Sequence, residues 1–238
     1  MQKSFAALAL VAAVQAIDTT TFAFMQYLSA QGKSYATVAE FNLRMELFAE
    51  RDQIIKEWNA RPDVTSKMGH NFLSDWTADE RKKLNGINYE NRQIEHNVPF
   101  HQVTEWKSNQ ATLQTVNWCS STVNKCTPIK NQGQCGSCWA FSATETVESA
   151  IAIEYNTTPV AYSPQQLVSC SSAYGNAGCG GGWYYWAWNY LQVYPQETES
   201  SYPYSNASLN WGIVPACQYN ASLGVVKTNS PTDYIRVG

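Results

Sequence analysis

Residues 132–139 read Gln-Gly-Gln-Cys-Gly-Ser-Cys-Trp, which is the most informative stretch of the sequence. Residues 139–153 follow without a Gly or a Pro, and Val147, Ala150 and Ile151 recur at helical intervals. The pattern therefore predicts a helix that begins at or just before Cys138.

A cysteine at this position is a candidate nucleophile. The first turn of a helix carries the positive end of the helix dipole and unpaired amide groups, and both favour the reactive thiolate over the thiol. Gly133 and Gly136 allow the preceding loop to bend tightly, so that the sulfur of Cys138 can face a cleft.

Two other functions use the same Cys-x-x-Cys spacing as Cys135 and Cys138. A thioredoxin-like redox pair needs a preceding strand within a βαβ pattern, and a zinc site needs a second pair of ligands or nearby histidines. The sequence has neither context, so it favours a nucleophile and predicts no metal and no cofactor.

The stretch matches Cys-Gly-[Ser/Ala]-Cys-[Trp/Tyr], the signature around the nucleophile of papain and the cathepsins, and the chain resembles papain-like, cathepsin-L-like cysteine proteases. The resemblance implies an α+β fold of two lobes and peptide-bond hydrolysis through an acyl-thioenzyme. It also implies that the Gln132 side chain and the Cys138 amide stabilise the oxyanion. Without the resemblance, Gln132 is an ordinary loop glutamine.

The chain downstream resembles the same family. Ser163, Pro164 and Gln166 have the order of a helix cap, a first helical residue and the end of a capping box. By resemblance, Gly181 and Gly182 form the wall against which a substrate backbone lies, although a triple glycine is otherwise a flexible turn. Two aromatic residues would line the pocket for the side chain two residues before the cut, or would belong to the core of a short aromatic helix: Trp183 and Tyr184.

All seven cysteines lie in the second half of the chain. The resemblance pairs Cys135 with Cys179 and Cys170 with Cys217, and Cys119 is close enough in sequence to Cys126 to close a local loop. Connectivity does not follow from spacing alone, so a disulfide-rich binding module in which Cys138 is paired stays an alternative.

The first residues predict entry to the secretory pathway. Residues 1–16 carry Lys3, an apolar run and small residues before a cleavage point, which is typical of a signal peptide, with a buried helix as the alternative. Three sequons suit the same route, to a lysosome or vacuole or to the extracellular space: Asn156, Asn206 and Asn220.

Composition changes near residues 97–99 and divides the rest of the chain. Thr37 with Glu40, and Thr77 with Glu80, are capping boxes that predict two helices. The first helix has an apolar stripe: Val38, Phe41, Met45, Phe48, Ile55 and Trp58. Taken alone, this pattern also fits a small helical bundle without chemistry.

This part resembles the inhibitory propeptides of the same proteases. Its helix motif is matched by Glu40, Arg44, Phe48, Ile55 and Asn59, and a second motif is matched by Gly69, Asn71 and Asp75. Arg51 stands where the first motif usually has asparagine, and Leu73 stands where the second has phenylalanine. The resemblance implies that residues 17–110 form a propeptide that blocks the cleft, residues 111–238 begin the peptidase domain, and an exposed cleavable link covers 95–114.

The catalytic histidine and asparagine of the family are expected about 130–150 residues after the cysteine. His70, His96 and His101 all precede Cys138, so no residue is assigned to either role, and the β-rich lobe is expected to be largely missing from this chain. The alternative to an endopeptidase is a noncatalytic secreted inhibitor or a truncated pseudoenzyme. A net charge of −3 gives no basic surface for nucleic acid, and no stretch beyond residue 16 is apolar enough to span a membrane.

Overall fold

The computed structural model describes residues 18–87, 100–101, 116–120, 122–226 and 236–237. The chain divides into two compact units, Met1–Arg81 and Lys82–Gly238. The predicted signal peptide and most of the predicted cleavable link lie outside the described residues.

The first unit is helical. Its helices are α1 (Thr19–Gln31), α2 (Val38–Ala60) and α3 (Ala78–Lys82), the last of which continues one residue into the second unit. The Thr37 side chain accepts from the amide of Glu40 and caps α2, as the sequence predicts. Val38 is 77% exposed, so the apolar stripe of α2 begins only at Phe41.

Buried aromatic rings hold α1 and α2 together. Phe24, Tyr27 and Phe48 form the core of this unit, and the ring centroids of Tyr27 and Phe48 are 4.9 Å apart. The carboxylate of Asp75 is fully buried and accepts hydrogen bonds from Tyr27, Lys33 and Tyr35. Asp75 therefore joins the loop before α3 to helix α1 and to the connection between α1 and α2.

Arg44 and Glu80 join α2 to α3. The Arg44 guanidinium donates to both carboxylate oxygens of Glu80, at 2.6 and 2.7 Å. Thr77 and Glu80 form the predicted capping box in both directions: the Thr77 amide donates to the Glu80 carboxylate at 2.8 Å, and the Glu80 amide donates to the Thr77 hydroxyl at 3.2 Å.

The second unit contains the remaining elements. Its helices are α4 (Cys138–Glu154), α5 (Pro164–Cys170), α6 (Tyr184–Leu191) and α7 (Asn206–Trp211). The strands are short: β1 (Phe100–His101) pairs in parallel with β4 (Arg236–Val237), and β2 (Gln196–Glu197) pairs antiparallel with β3 (Gly224–Val226). Four 3₁₀ turns complete the described residues: Trp118–Ser120, Ser172–Tyr174, Gly178–Gly180 and Ala221–Leu223.

Helix α4 lies at the centre of this unit and packs on α5 and α6. It begins at Cys138, which confirms the predicted start. The core contains small and large apolar side chains from all three helices: Trp139, Ala140, Ala143, Val147, Leu167, Val168, Ala187, Tyr190 and Leu191. This packing fixes the first turn of α4 and, with it, the position of Cys138.

The cap of α5 differs in one respect from the prediction. The Ser163 hydroxyl accepts from the Gln166 amide at 3.1 Å, as expected. The Gln166 side chain does not return to the cap; its Oε1 accepts from the amide of Glu197 at 2.7 Å, and its Nε2 donates to Tyr190. Gln166 is fully buried, so its amide satisfies neighbouring strand and helix groups instead.

A buried ion pair braces α4 from the other side. Glu148 accepts from the Lys130 ammonium, from the Thr127 hydroxyl at 2.6 Å and from the Tyr162 amide at 2.7 Å. These bonds compensate the burial of the Glu148 charge. None of the helices in the described residues combines the length and apolar character needed to cross a membrane.

Candidate active site

Cys138 is the first residue of α4 and carries a half-buried free thiol. The Ser137 carbonyl accepts from the amides of Ala140 and Phe141, at 2.8 and 3.2 Å. Within the described residues, no acceptor is bonded to the Cys138 amide. A helix start leaves such amides unpaired, so this N–H is available to a group that binds beside the sulfur.

The loop before Cys138 is held in place by a disulfide. Cys135 is bonded to Cys179, and the amide of Gly136 donates to the Cys179 carbonyl at 3.2 Å. The side-chain amide of Gln132 donates inward to the Cys135 carbonyl at 2.8 Å. This bond and the disulfide hold the Gln132 side chain against the loop that leads into α4.

The glycines after Cys179 form a close-packed wall. Gly181 has φ +115°, which disfavours any residue with a side chain. A Cβ on Gly182 would lie 2.3 Å from the Asn176 Oδ1 and 2.8 Å from the Trp139 ring. Both glycines thus lie in close-packed backbone, and their role as a wall for a substrate stays a prediction.

A segment of the chain itself, residues 83–87, lies across these groups. The Leu84 carbonyl accepts from the Gln132 side chain at 3.0 Å, and the Gly86 carbonyl accepts from the Gly182 amide at 2.8 Å. A Cβ built on Gly86 would lie only 3.2 Å from the Cys138 Sγ. The segment occupies the space directly over the thiol.

Residues 83–87 enter this site in a defined direction. The segment passes the amide of Gln132 at Leu84 and reaches the wall glycine Gly182 two residues later, at Gly86. The segment therefore runs from Gln132 towards Gly182.

Sequence reasoning assigned the blocking role to residues 17–110 as a whole and missed the contact residues Leu84 and Gly86. The available signal was a lone glycine shortly after the second capping box. Nothing local indicates that Gly86 meets Cys138, because that contact joins residues 52 positions apart, 138 minus 86.

The two predicted pocket residues lie next to the wall. Trp183 is 8% exposed, and its amide donates to the Asn176 Oδ1 at 2.8 Å. Tyr184 is 41% exposed and begins α6, with its ring 5.1 Å from that of Trp188. Of the two, Trp183 has the burial of a core residue and Tyr184 has the exposure of a contact residue.

Three disulfides join the same pairs of cysteines that were expected: Cys119–Cys126, Cys135–Cys179 and Cys170–Cys217. Cys138 is the seventh cysteine and is free. The described residues contain no group of three or more His, Cys, Asp or Glu side chains placed to hold a metal ion.

The three sequon asparagines are exposed. Asn156 follows the end of α4 with φ +48°, and its Oδ1 accepts from the buried Lys125 ammonium at 2.8 Å. Asn206 is the first residue of α7, and the Asn220 Oδ1 accepts from the amide of Ser222 at 3.0 Å. Exposure is what a glycan requires, and glycosylation of all three stays a prediction.

No histidine follows Cys138 in the sequence. His70 lies in the first unit, stacked on Phe48 at 4.3 Å and bonded through Nε2 to Asp52 at 3.2 Å. His96 and the side chain of His101 lie outside the described residues.

Two family models match the chain. Residues 112–237 match the Papain family cysteine protease, and residues 24–80 match the Cathepsin propeptide inhibitor domain (I29). These matches agree with the resemblance seen in the sequence motifs.

Similar proteins include a cathepsin L-like proteinase of Fasciola hepatica, 36% identical over 189 residues, and digestive cysteine proteinase 3 of Homarus americanus, 33% identical over 220 residues. The alignments cover 77% and 90% of this chain but only 54% and 64% of those proteins. Among solved structures, digestive procathepsin L 3 of Tenebrio molitor is 29% identical, with a TM-score of 0.70 over 90% of this chain and 65% of that one. The predicted α+β papain-like fold is confirmed by these likenesses.

Proposed function

The chain belongs to the papain family of cysteine proteases, and on this basis we propose that it is precursor sequence of a cysteine endopeptidase with Cys138 as nucleophile. The observation that carries the proposal is the free thiol at the start of α4, covered by a segment whose Leu84 carbonyl accepts from the Gln132 side chain at 3.0 Å. A free thiol and a side-chain donor that binds a peptide carbonyl are two of the groups that acyl transfer needs.

In the proposed reaction, the Cys138 thiolate attacks the carbonyl carbon of the substrate, and a carbon–sulfur bond forms. The carbonyl oxygen becomes an oxyanion that accepts hydrogen bonds from the Gln132 side chain and the Cys138 amide. Collapse breaks the carbon–nitrogen bond, the leaving amine takes a proton, and water then hydrolyses the thioester. All three histidines precede Cys138 in the sequence, and none of them is assigned as the proton carrier.

Residues 17–110 are proposed to be the inhibitory propeptide, and residues 111–238 to belong to the peptidase domain. The propeptide would inhibit through residues 83–87, which contact Gln132 and Gly182 with reversed chain direction. A substrate would pass Gly182 before Gln132, because the wall is proposed to hold the part that precedes the cut, whereas residues 83–87 pass Gln132 first. In this reversed direction, the amide nitrogen bonded to the Leu84 carbonyl carbon lies towards Gly182 and not towards the place of the leaving group. The reversed direction therefore supports inhibition without cleavage.

Peptides and proteins are the proposed substrates. Gly181 and Gly182 would hold the substrate backbone, and Trp183 with Tyr184 would favour a bulky apolar or aromatic side chain two residues before the cut. The ring of Tyr184 is exposed, which supports its proposed contact with a substrate side chain. The ring of Trp183 is buried and gives weaker support for the same contact.

The proposed route is the secretory pathway, to a lysosome or vacuole or to the extracellular space. Three disulfides in the second unit support it, because disulfides form and persist in oxidising compartments. Cleavage of residues 1–16 and glycans on the three sequon asparagines belong to the same proposal, and mass spectrometry of the secreted protein would detect both.

The experiment that tests the proposed activity begins with the transcript across the codon for Gly238. A reading frame that continues with a histidine and an asparagine in the family's contexts allows the full product to be assayed with a peptide that carries Phe two residues before the cut. Hydrolysis that requires Cys138, shown by its loss in Cys138→Ser, is expected. Equal hydrolysis by the Cys138→Ser variant would contradict the assignment of the nucleophile.

A second function, inhibition of related proteases in trans, is favoured by one observation: residues 83–87 are bonded to Gln132 and Gly182 and cover the Cys138 thiol. It would use the same segment, residues 83–87. If a stop codon follows Gly238, the chain should inhibit a cathepsin-L-like protease without being turned over. Loss of that inhibition in a variant with an altered segment, such as Gly86→Ala, would identify the segment as the inhibitory element.

A further inference from the structure

The loop from Gln132 to Ser137 is closed by a single tyrosine hydroxyl. The Tyr204 hydroxyl lies 3.1 Å from the Gln132 carbonyl oxygen and 2.8 Å from the Ser137 Oγ. A tyrosine has one proton to donate. Because the Gln132 carbonyl can only accept, the Tyr204 proton points to it, and the Ser137 hydroxyl donates to the Tyr204 oxygen. Both ends of the loop are therefore bonded to one side chain.

Tyr204 is itself held by two contacts outside the loop. Its ring packs edge-on against Phe141 in the first turns of α4, with centroids 5.0 Å apart. Its amide donates to the Glu199 Oε1 at 2.9 Å. Burial raises the pKa of the Tyr204 phenol above its ordinary value, so the hydroxyl keeps its proton at neutral and acidic pH. The donor to Gln132 is thus fixed in place and in protonation state.

We propose that Tyr204 is a positioning residue that sets the Gln132 side-chain amide over Cys138 by holding the Gln132 backbone and the Ser137 cap of α4 at a fixed separation. The inference rests on the proposed function for its catalytic meaning. The position of the Gln132 amide can also be tested without catalysis, because this amide binds the Leu84 carbonyl of residues 83–87, the blocking segment.

This second use of Gln132 gives a test that needs no proteolysis. Iodoacetamide is small and neutral, and its reaction with Cys138 in the intact chain reports how often residues 83–87 leave the thiol. Gln132→Ala removes the bond to Leu84 and should raise the alkylation rate roughly three- to tenfold, which corresponds to one net hydrogen bond. Tyr204→Phe removes only the positioning hydroxyl and should raise the rate by a similar factor.

The double variant separates positioning from a general loosening of the fold. If Tyr204 acts through Gln132, then Gln132→Ala with Tyr204→Phe should react no faster than Gln132→Ala alone. If the increases in alkylation rate of the two single variants multiply in the double variant, the inference is overturned. It is also overturned if Tyr204→Phe reacts at the same rate as the unchanged chain. An unchanged rate in Gln132→Ala would overturn it as well, because the amide would then not be held where the structure places it.

Two further variants guard against misfolding. Tyr190→Phe is the matched control: Tyr190 is a buried tyrosine of the same unit, but its hydroxyl accepts from Gln166 and does not contact the loop, so the alkylation rate of Cys138 should stay unchanged. Ser137→Ala removes the other end of the bridge and should accelerate alkylation less than Tyr204→Phe does. The alkylation rates do not depend on turnover, so a failure of the proposed protease activity leaves this test intact.

Discussion

Gly86 is the residue whose identity is most tightly dictated by the site. A Cβ at this position would lie 2.0 Å from the Gly136 carbonyl oxygen, which belongs to backbone fixed by the Cys135–Cys179 disulfide. Backbone of this kind cannot move aside cheaply, so the blocking segment itself must shift if residue 86 acquires a side chain.

We therefore expect Gly86→Ala to expose the thiol of Cys138. Alkylation of Cys138 by iodoacetamide in the intact chain should accelerate by at least about tenfold, since a displaced segment loses both its wall and Gln132 hydrogen bonds. Gly180→Ala is the control, because a Cβ there would make only an ordinary 3.7 Å contact with Ala177. A Gly86→Ala variant that reacts no faster than this control would show that the segment does not cover the sulfur.

Among single residues, the sequence could predict Cys138 and Gln132 as site residues but not Gly86. Cys138 is indicated by local features, since it stands directly before a helical pattern and after glycines, and Gln132 is indicated by the family resemblance. The need for glycine at position 86 arises only from a contact with a loop some fifty residues away in the chain, and no local pattern encodes it.

Helix α5 depends on its cap more than a surface helix does. The Ser163 hydroxyl accepts from the Gln166 amide and donates to the Tyr202 carbonyl at 2.6 Å, and all of Ser163 is buried. Ser163→Ala should lower the free energy of opening of residues 163–171 by about 1–3 kcal/mol, because two buried groups lose their partner. Hydrogen exchange resolved by peptide would measure it.

The comparison variant is Thr37→Ala at the exposed cap of α2. Water can replace the lost hydroxyl there, so the loss in α2 should stay near the lower end of the usual range, about 0.5–1 kcal/mol. Equal losses in α2 and α5 would argue that burial adds nothing to the Ser163 cap.

The α2–α3 pair should lose stability in acid, as the pH falls from about 5 towards 2. Arg44 lowers the pKa of Glu80 to about 2, with further help from the Thr77 amide. A carboxylate whose pKa is lowered by folding stabilises the fold above its ordinary pKa, near 4.3, and this stabilisation disappears as the pH falls to the folded value. The contribution of Glu80 should therefore be complete above about pH 5 and absent near pH 2.

The variant Glu80→Gln provides the measurement. Its first unit should open more easily than that of the unchanged chain at pH 7, by about 1–3 kcal/mol, and the difference should close on approach to pH 2. Asp63→Asn breaks the exposed Arg61–Asp63 pair and should change nothing measurable. A Glu80→Gln difference that is the same at pH 7 and pH 2.5 would contradict the role given to this ion pair.

Helix beginnings were the most predictable elements, because a cap is a local signal. Thr37, Thr77 and Ser163 each cap or precede the helix that the sequence predicts. Helix α7 was not predicted. It is only six residues long, with a Ser205 cap and a left-handed Gly212 after it, and its Leu209 carbonyl accepts from the Gln134 amide in a contact that no local pattern reveals.

In the whole molecule, the compact units divide at Arg81, whereas the sequence predicts a division between propeptide and peptidase domain at residue 110. The two boundaries describe different things. Residues 82–87 lie within the predicted propeptide, but Leu84 and Gly86 are bonded to Gln132 and Gly182, so these residues group with the second unit. The predicted boundary of processing stays a prediction, and its structural counterpart lies earlier because the blocking segment is bound to the cleft.

The distribution of disulfides makes a last prediction about the molecule as a whole. All seven cysteines lie in the second unit, and three disulfides use six of them, which leaves one thiol, that of Cys138. Titration of the unfolded, unreduced chain should give one equivalent of thiol, and peptide mapping should place the label on Cys138. No thiol would favour the binding-module alternative, in which Cys138 is paired and the nucleophile is lost. Three equivalents with label on Cys119 and Cys126 would instead show that the local loop is open, a result that leaves Cys138 free and the proposed chemistry unaffected.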